Sequence, residues 1–139
     1  MSKTAGPNQM TSWHPVPIRL VDEVMPGLKD TELRVLLVVL RQTWGWMADR
    51  TDTGSRQTTN DKKPTKRRDW LSHRQLCRRT GRGSDAVSGA VASLTATGLI
   101  VVEDAGGQCL ATPEERRRSL GRQYFRPGDL WAAHGNRSQ

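Results

Sequence analysis

The sequence predicts a mainly α-helical domain with a small β-wing, and three observations lead to this prediction. Of three predicted helical segments between residues 30 and 97, the first and the third have apolar residues at helical spacing, and the second follows a serine that can cap it. A short turn containing Gly81 separates the second segment from the third, as in two helices that pack on one core. Two short stretches rich in β-branched or aromatic residues follow, with a glycine-containing turn between them. Helix, helix, turn, helix, strand, wing and strand is the order of a winged helix-turn-helix domain.

The first helices are predicted from apolar spacing and from their end signals. A short helix over residues 19–25 is expected to stop at Pro26-Gly27, because proline and glycine end helices. A longer helix is expected to begin at Asp30, whose carboxylate can cap the first turn, and to end near residues 43–46. The apolar face of this central helix is predicted to consist of Leu33, Leu36, Leu37 and Leu40, and Val35, Val38 and Val39 widen it.

The next two helices form the predicted helix-turn-helix. Ser72 is the expected N-cap of a helix over His73–Thr80. Ser84 is expected to cap a second helix over residues 85–97, which Gly98 ends. The inner face of this second helix is predicted to consist of Val87, Ala90, Val91 and Leu94.

The remaining elements are predicted strands and the segment between them. Residues 99–102 and 121–126 have the composition of strands, and residues 70–71 are expected to form a third, shorter one. The charged segment Pro113–Arg118 is compatible with a loop or with one helical turn.

These elements predict one winged helix-turn-helix domain over residues 13–131 of the 139-residue chain. Residues 48–68 have no apolar periodicity and are expected to form a long, basic, solvated loop within it. The polar ends of the chain, residues 1–12 and 132–139, are predicted to be disordered tails.

The positive charge is concentrated in one short part of the chain. The formal net charge is +8, and residues 61–82 alone hold nine basic and two acidic residues. Such a local excess indicates a polyanionic partner, nucleic acid above all. No apolar run approaches the ~20 residues of a membrane span, and the N-terminus lacks a secretory signal. The two cysteines are too few for the disulfide framework of a secreted domain. We therefore expect a cytoplasmic protein without a membrane partner.

The charge coincides with the predicted helix-turn-helix, which indicates double-stranded DNA as the partner. The candidate phosphate contacts are Lys62, Lys63, Lys66, Arg67, Arg68, Arg74, Arg78 and Arg79. The candidate contacts of the turn and of the second helix, which would lie in the major groove, are Arg82, Ser84, Asp85, Ser88, Gly89, Ala92 and Ser93. Further candidates in the wing are Arg116, Arg117, Arg118 and Arg122, although a solvated charge run is an equal interpretation of the first three.

The second helix lacks the commonest readers of base edges, since residues 85–97 hold no Lys, Arg, Asn or Gln. The sequence therefore predicts binding dominated by phosphate contacts, with specificity partly from Arg82, the wing and DNA shape. Gly89 and Ala92 leave a surface of small residues on this helix. That surface is also compatible with packing against another protein, so a protein-interaction adaptor is the alternative.

The chain has no pattern typical of an enzyme. His14, His73 and His134 are scattered, and with the two cysteines they show no metal-ligand spacing. A nucleophile–base set, a phosphate-binding loop and a dinucleotide fingerprint are all missing. We therefore expect no catalytic activity, no cofactor, no metal and no small-molecule substrate.

Several short motifs resemble the N-terminal winged-helix domain of phage replication protein O and related phage and plasmid replication initiators. They are Trp13-His14-Pro15-Val16-Pro17, Glu32-Leu33-Arg34-Val35-Leu36-Leu37, Arg41-Gln42-Thr43-Trp44-Gly45-Trp46, Asp69-Trp70-Leu71-Ser72-His73-Arg74-Gln75-Leu76, Thr80-Gly81 and Gly98-Leu99-Ile100. The resemblance covers residues 13–102. Departures are the longer loop after Trp46, the second helix without basic residues, and the lack of a large C-terminal recruitment region.

The resemblance implies origin binding by a replication protein of a phage, plasmid or other mobile element, in a bacterial or phage-infected cell. It also implies replication proteins, or a second copy of the chain, as further partners. A small transcriptional regulator of a mobile element is the alternative within the same class, because a lone winged helix serves both tasks.

Overall fold

A computed structural model of the chain describes residues 16–53, 67–128 and 131, and over residues 44–53 it describes the backbone. The described part is mainly helical, with a small three-stranded antiparallel sheet in the order β1-β3-β2. Its elements are a π-helical turn at Leu20–Val24, a 3-10 turn at Met25–Gly27, α1 (Asp30–Thr53), β1 (Asp69–Trp70), α2 (His73–Thr80), α3 (Ser84–Ala96), β2 (Ile100–Glu103), α4 (Pro113–Arg118) and β3 (Tyr124–Pro127). Both predicted tails and the N-terminal motif at residues 13–15 lie outside the described residues.

Helix α1 is the centre of the core, and its buried face is rotated from the predicted one. Val35 and Val39 are fully buried, whereas Leu37 is 39% exposed. The buried stripe recurs at the three- and four-residue spacing of one helix face, as Glu32, Val35, Leu36, Val39, Leu40 and Thr43. The prediction that Leu37 faces inward is wrong, because contiguous apolar residues leave the rotation of a helix undetermined until its neighbours pack against it.

The ends of α1 also differ from the prediction. Asp30 is the first helical residue, and its carboxylate pairs with arginine side chains instead of capping the turn. Glu32 has the capping role, because its Oε1 accepts a hydrogen bond from the Lys29 amide at 2.8 Å. The helix continues to Thr53, so neither an end at residues 43–46 nor a loop beginning at residue 48 is correct. A glycine inside a helix costs only about 1 kcal/mol, so Gly45 does not end it.

The pair α2 and α3 is close to the prediction. Ser72 caps α2 in a capping box, in which Ser72 and Gln75 exchange side-chain-to-backbone hydrogen bonds. Gly81 ends α2 in the left-handed region, at φ 73°. The N-cap of α3 is Gly83 and not Ser84, which is the first residue of the helix. The predicted inner face of α3 is confirmed, since Val87, Ala90, Val91 and Leu94 are all buried.

All three strands are present, but β1 lies one residue earlier than predicted, whereas β2 and β3 begin and end later. β1 comprises residues 69–70, β2 extends through Glu103, and β3 begins at Tyr124. In β3, Phe125 pairs with Asp69 of β1 and with Val102 of β2. Phe125 and Val102 are buried against the helices, which makes this the inner face of the sheet. The opposite, outer face carries Tyr124 and its partner Glu103.

The connection between β2 and β3 is more than a hairpin loop. It contains a bridge between Glu103 and Cys109, a tight turn at residues 104–108, and α4. Of the two interpretations of the segment Pro113–Arg118, the helical one is confirmed, and Thr112 caps it in a second capping box. Within the described part of the chain, no helix has the length and apolarity that a membrane crossing requires.

Candidate nucleic-acid interface

Two arginines of α2 are free to bind an external anion. Arg74 and Arg78 are one helical turn apart, so they lie on the same side of α2, and both are exposed. Neither forms an ion pair or hydrogen bond with another side chain of the described ranges. Their guanidinium groups therefore face solvent with no carboxylate to neutralise them, as a phosphate site requires.

Arg79, the third predicted phosphate contact of α2, is turned toward α1. Its Nη1 donates to Oε1 of Gln42 at 2.6 Å, and the Gln42 amide donates to Asp69 Oδ2 at 2.8 Å. Partial burial lowers the pKa of Arg79, and the nearby charge of Arg41 lowers it further. Arg79 therefore joins α2, α1 and β1, and it also brings its positive charge close to that of Arg41.

Arg82, in the turn before α3, is held by α1. Its Nη2 pairs with Oδ2 of Asp30, which also accepts a hydrogen bond from Nε of Arg34 at 3.0 Å. The Arg34 Nη1 in turn donates to the carbonyl oxygen of Thr80 at 2.7 Å. The hydrogen bond from Arg82, followed by the charges of Arg34 and Arg82, holds the pKa of the Asp30 carboxyl below its ordinary value, so it stays ionised. These contacts hold the turn between α2 and α3 against α1. Only Nη2 of Arg82 is engaged by Asp30, so the rest of its guanidinium can bind another anion.

The outward side of α3 is a surface of small residues. Asp85, Ser88 and Gly89 are exposed, while Ala92 and Ser93 are half-buried. Nothing lies within 4 Å of the position that a Cβ atom on Gly89 would occupy, so the helix backbone is openly accessible there. At the start of the helix, Ser84 Oγ lies 3.0 Å from Nε2 of His73 on α2, which ties the two helix N-termini together.

Arg68 belongs to an ion-pair network on the outer face of the sheet. Glu103 is 5% exposed, and its two carboxylate oxygens pair with Arg68 at 3.2 Å and with Arg126 at 2.8 Å. Arg68 also donates to the carbonyl oxygens of residues 104 and 105 and lies over the ring of Tyr124 at 4.2 Å. These contacts occupy the guanidinium of Arg68, which was predicted to bind phosphate.

The other predicted loop contacts are only partly described. Arg67 is exposed, with its Nη1 4.0 Å from Glu103 Oε1, and thus keeps most of its donors for solvent or a ligand. Lys62, Lys63 and Lys66 lie outside the described residues.

The four arginines that were predicted to lie in a wing are of two kinds. Arg116 is structural, because its Nη1 donates to the carbonyl oxygens of Leu110 and Ala111 at 3.2 and 3.3 Å, and burial lowers its pKa. Arg117, Arg118 and Arg122 are exposed. Arg117 pairs with Glu114 at 3.6 Å on the surface, and Arg122 lies over the ring of Trp70 at 4.1 Å. Arg118 has no ion pair with any residue of the described ranges.

Sequence reasoning missed Arg34, Arg41 and the acidic partners of the arginines. Arg34 and Arg41 are seven residues apart, and this spacing shows that they share one side of α1. Their approach to α2 depends on how the two helices cross, which one-dimensional spacing does not contain. Glu103 is the last residue of the apolar strand β2, which shows no polar alternation, so no local signal indicated that it is buried.

Comparisons of the chain with models of known protein families, with characterised proteins and with solved structures found no match. Within the described residues, no three His, Cys, Asp or Glu side chains are grouped so that they could hold a metal ion. The arrangement of cations on α2, in the turn and beside α4 is thus the feature of the described surface that bears most directly on function.

Proposed function

We propose that this chain is a winged helix-turn-helix protein that binds double-stranded DNA. The observation that carries the proposal is the pair of exposed, unpaired arginines on α2, Arg74 and Arg78, beside the open face of α3. In this arrangement α2 lies across the phosphate backbone and α3 enters the major groove. The order of the elements, with three helices before a β2–β3 pair joined by a long connection, supports the same assignment.

The character of α3 indicates how the DNA is held. Its exposed residues are small and carry no positive charge, so they allow close approach without a bidentate base contact. Binding strength then comes from the arginines around the helix, and sequence preference comes from groove shape and from Arg82. If about six phosphates are neutralised, the logarithm of the binding constant should fall with the logarithm of salt concentration at a slope of about −5.

Replacing Arg74 and Arg78 together with alanine is expected to weaken binding to duplex DNA about 10- to 100-fold at 0.1 M salt, because two phosphate contacts are lost. The loss should be similar for all sequences, and the salt slope should become shallower by about 2. Fluorescence anisotropy with a labelled duplex, repeated over a salt series, measures both quantities. Single-stranded DNA and RNA of the same sequence serve as comparison probes.

The matched control is the double variant Arg74→Lys/Arg78→Lys, which keeps both charges and should retain most of the affinity. Because both side chains are exposed, neither variant should change the fold, and circular dichroism checks this. An unchanged duplex affinity in the alanine variant, together with no response to salt, would contradict the proposal.

The adaptor alternative is distinguished by the variant Gly89→Leu. Gly89 is exposed and a Cβ atom there has no protein atom within 4 Å, so folding should be preserved, and circular dichroism checks this. If α3 lies in the major groove, the added bulk should weaken duplex binding by more than about 10-fold, since one interfacial clash costs more than 1.4 kcal/mol. Gly89→Ala is the control and should bind nearly as well as the natural chain. Undiminished DNA binding by Gly89→Leu, with loss of a protein partner, would favour the adaptor.

Within the DNA-binding class, the motif resemblance favours a replication initiator of a mobile element over a transcriptional regulator. An initiator protects repeated sites within a replication origin, whereas a regulator protects sites in a promoter. A footprint across the DNA that flanks the coding region separates these two functions.

A further inference from the structure

The connection between α4 and β3 holds a leucine almost completely in solvent. Leu120 is 93% exposed, the highest value among the exposed large apolar side chains of the described residues. A single exposed apolar residue is common on protein surfaces and has no meaning alone. Leu120 differs from an ordinary exposed apolar residue because arginines flank it and because hydrogen bonds anchor its loop.

Arginines stand on both sides of the leucine. We define the leucine tip as residues 118–122, which comprise Arg118, Ser119, Leu120, Gly121 and Arg122. Both arginines are exposed, and all five residues line one open depression of about 550 Å³ beside the tight turn at residues 104–108. The two acidic residues of that depression accept backbone hydrogen bonds, Asp104 from residues 106 and 108 and Glu115 from residue 112. The tip therefore presents an apolar side chain between two cations.

Hydrogen bonds anchor both ends of the tip. On the N-terminal side, the Ser119 amide donates to the carbonyl oxygens of Glu115 and Arg116 at 3.2 and 3.3 Å. On the C-terminal side, the side-chain amide of Gln123 donates to the Arg116 carbonyl oxygen at 2.8 Å, and the Gln123 carbonyl accepts from the Leu71 amide at 3.1 Å. The two ends of the loop that carries the leucine are thus fixed by contacts within the protein, which lowers the cost of ordering it on a partner.

The segment that leads into the tip contacts the last turn of α3. The Nη1 of Arg116, two residues before the tip, donates to Oγ1 of Thr95 at 3.5 Å. A tip beside one end of a helix that lies in the major groove is suitably placed to meet the adjacent minor groove. Proteins that enter the minor groove insert apolar side chains between base steps and place arginines in the groove, and the DNA then bends.

We propose that Leu120 is a wedge that enters the minor groove and kinks the DNA, with Arg118 and Arg122 contacting the flanking phosphates or the groove floor. This inference rests on the proposed binding of duplex DNA and adds a second contact region and a deformation of the DNA to it. The DNA minor groove matches the two chemical features of the tip. Its strongly negative potential suits the two arginines, and the apolar space between two stacked bases suits the leucine. It also supplies specificity to a protein whose α3 carries few base readers, since flexible pyrimidine–purine steps kink most easily.

The test measures DNA bending separately from binding. A 40-base-pair duplex of mixed sequence, with a donor and an acceptor fluorophore at its ends, reports bending as a rise in energy transfer. The same duplex with 2-aminopurine at successive positions reports unstacking as increased fluorescence. The natural chain is expected to raise both signals at saturation. Leu120→Ala should lose most of both signals while binding no more than about 10-fold more weakly, because the phosphate contacts remain.

Two variants complete the comparison. Leu120→Met keeps a long apolar side chain and should keep the bend, whereas Ile18→Ala removes another highly exposed apolar side chain outside the tip and should change nothing. Since Leu120 is so exposed, its replacement leaves the core intact.

The outcomes separate this proposal from the one on which it rests. Binding of the natural chain without a rise in either signal, or equal signals from Leu120→Ala, overturns the wedge and leaves duplex binding intact. Failure of the natural chain to bind the duplex at low salt overturns both. Self-association that Leu120→Ala abolishes, with unchanged DNA geometry, overturns the wedge in favour of a contact between copies of the chain.

Discussion

Replacing Glu103 with alanine is expected to lower the free energy of unfolding by about 3 kcal/mol, because it removes the buried carboxylate that pairs with both Arg68 and Arg126. Glu103 is 6% exposed at its side chain, and Arg68 and Arg126 are 26% and 18% exposed at theirs. The partial exposure of the arginines places the expected loss toward the lower end of the range for buried ion pairs. Urea denaturation followed by far-ultraviolet circular dichroism measures it.

Control variants distinguish the loss of the Glu103 ion pairs with Arg68 and Arg126 from a general effect of removing a glutamate. Glu114→Ala removes a carboxylate that is 65% exposed and should change stability by less than about 0.5 kcal/mol. Glu103→Gln keeps the shape and part of the hydrogen bonding, so its loss should be smaller than that of alanine. A double-mutant cycle between Glu103→Ala and Arg126→Ala then isolates their coupling. A loss below about 1 kcal/mol for Glu103→Ala would mean that the network is not a main support of the sheet.

Replacing Gly128 with alanine is expected to lower the free energy of unfolding by a similar amount, about 3 kcal/mol, as an overpacked core does. A Cβ atom on Gly128 would lie 1.9 Å from the carbonyl oxygen of Gly98 and 2.7 Å from its carbonyl carbon. Both are backbone atoms, so the clash is relieved only by separating the end of β3 from the turn between α3 and β2. The Gly128 amide also donates to the Leu99 carbonyl oxygen at 2.9 Å, and this bond would be strained.

Gly121→Ala is the control for this substitution. Nothing lies within 4 Å of a Cβ atom at residue 121, and its φ is not in the left-handed region. Its stability should therefore remain within about 0.5 kcal/mol of the natural chain. The midpoints and slopes of urea denaturation of the two variants measure the difference in stability. Equal midpoints would show that the backbone at residue 128 can shift to accept a Cβ atom with little loss of stability.

The boundaries of α2 and the buried face of α3 were predictable from the sequence because their signals are local. Ser72 and Gln75 form a capping box within four residues, and Gly81 takes a left-handed conformation that glycine adopts without strain. The inner face of α3 needed only the spacing of four apolar residues with small residues between them. That helix has no large apolar residue outside this face, so no other rotation competed.

α1 was harder to predict because its sequence is apolar on too many sides. Residues 33 to 40 hold seven apolar side chains, and choosing among them requires knowing where α2, α3 and β3 pack. The end of the helix was misplaced for a related reason. The glycine and the tryptophans near residue 45 weaken the local helix signal, but the helix propensities of residues other than proline differ by at most about 1 kcal/mol, which tertiary packing easily overrides.

The candidate site shows the same division between local and long-range information. The concentration of positive charge at residues 61–82, and with it the expectation of a polyanionic partner, is a property of the sequence alone. Which cations remain available was decided by the fold. Arg68, Arg79 and Arg116 are engaged by groups at least five residues away in the chain, whereas Arg74, Arg78 and Arg118 are not.

The sequence by itself determined the class of elements, their order and the sign of the charge, because capping, spacing and composition act over a few residues. The tertiary structure decided the rotation of α1, the buried position of Glu103, the close approach of Gly128 to Gly98 and the exposure of Leu120. Each of these depends on groups that are distant in the chain and are brought together only when the core closes. Folding of the core also decides which arginines of the positively charged segments stay available to a ligand, because it engages some of them in contacts within the protein.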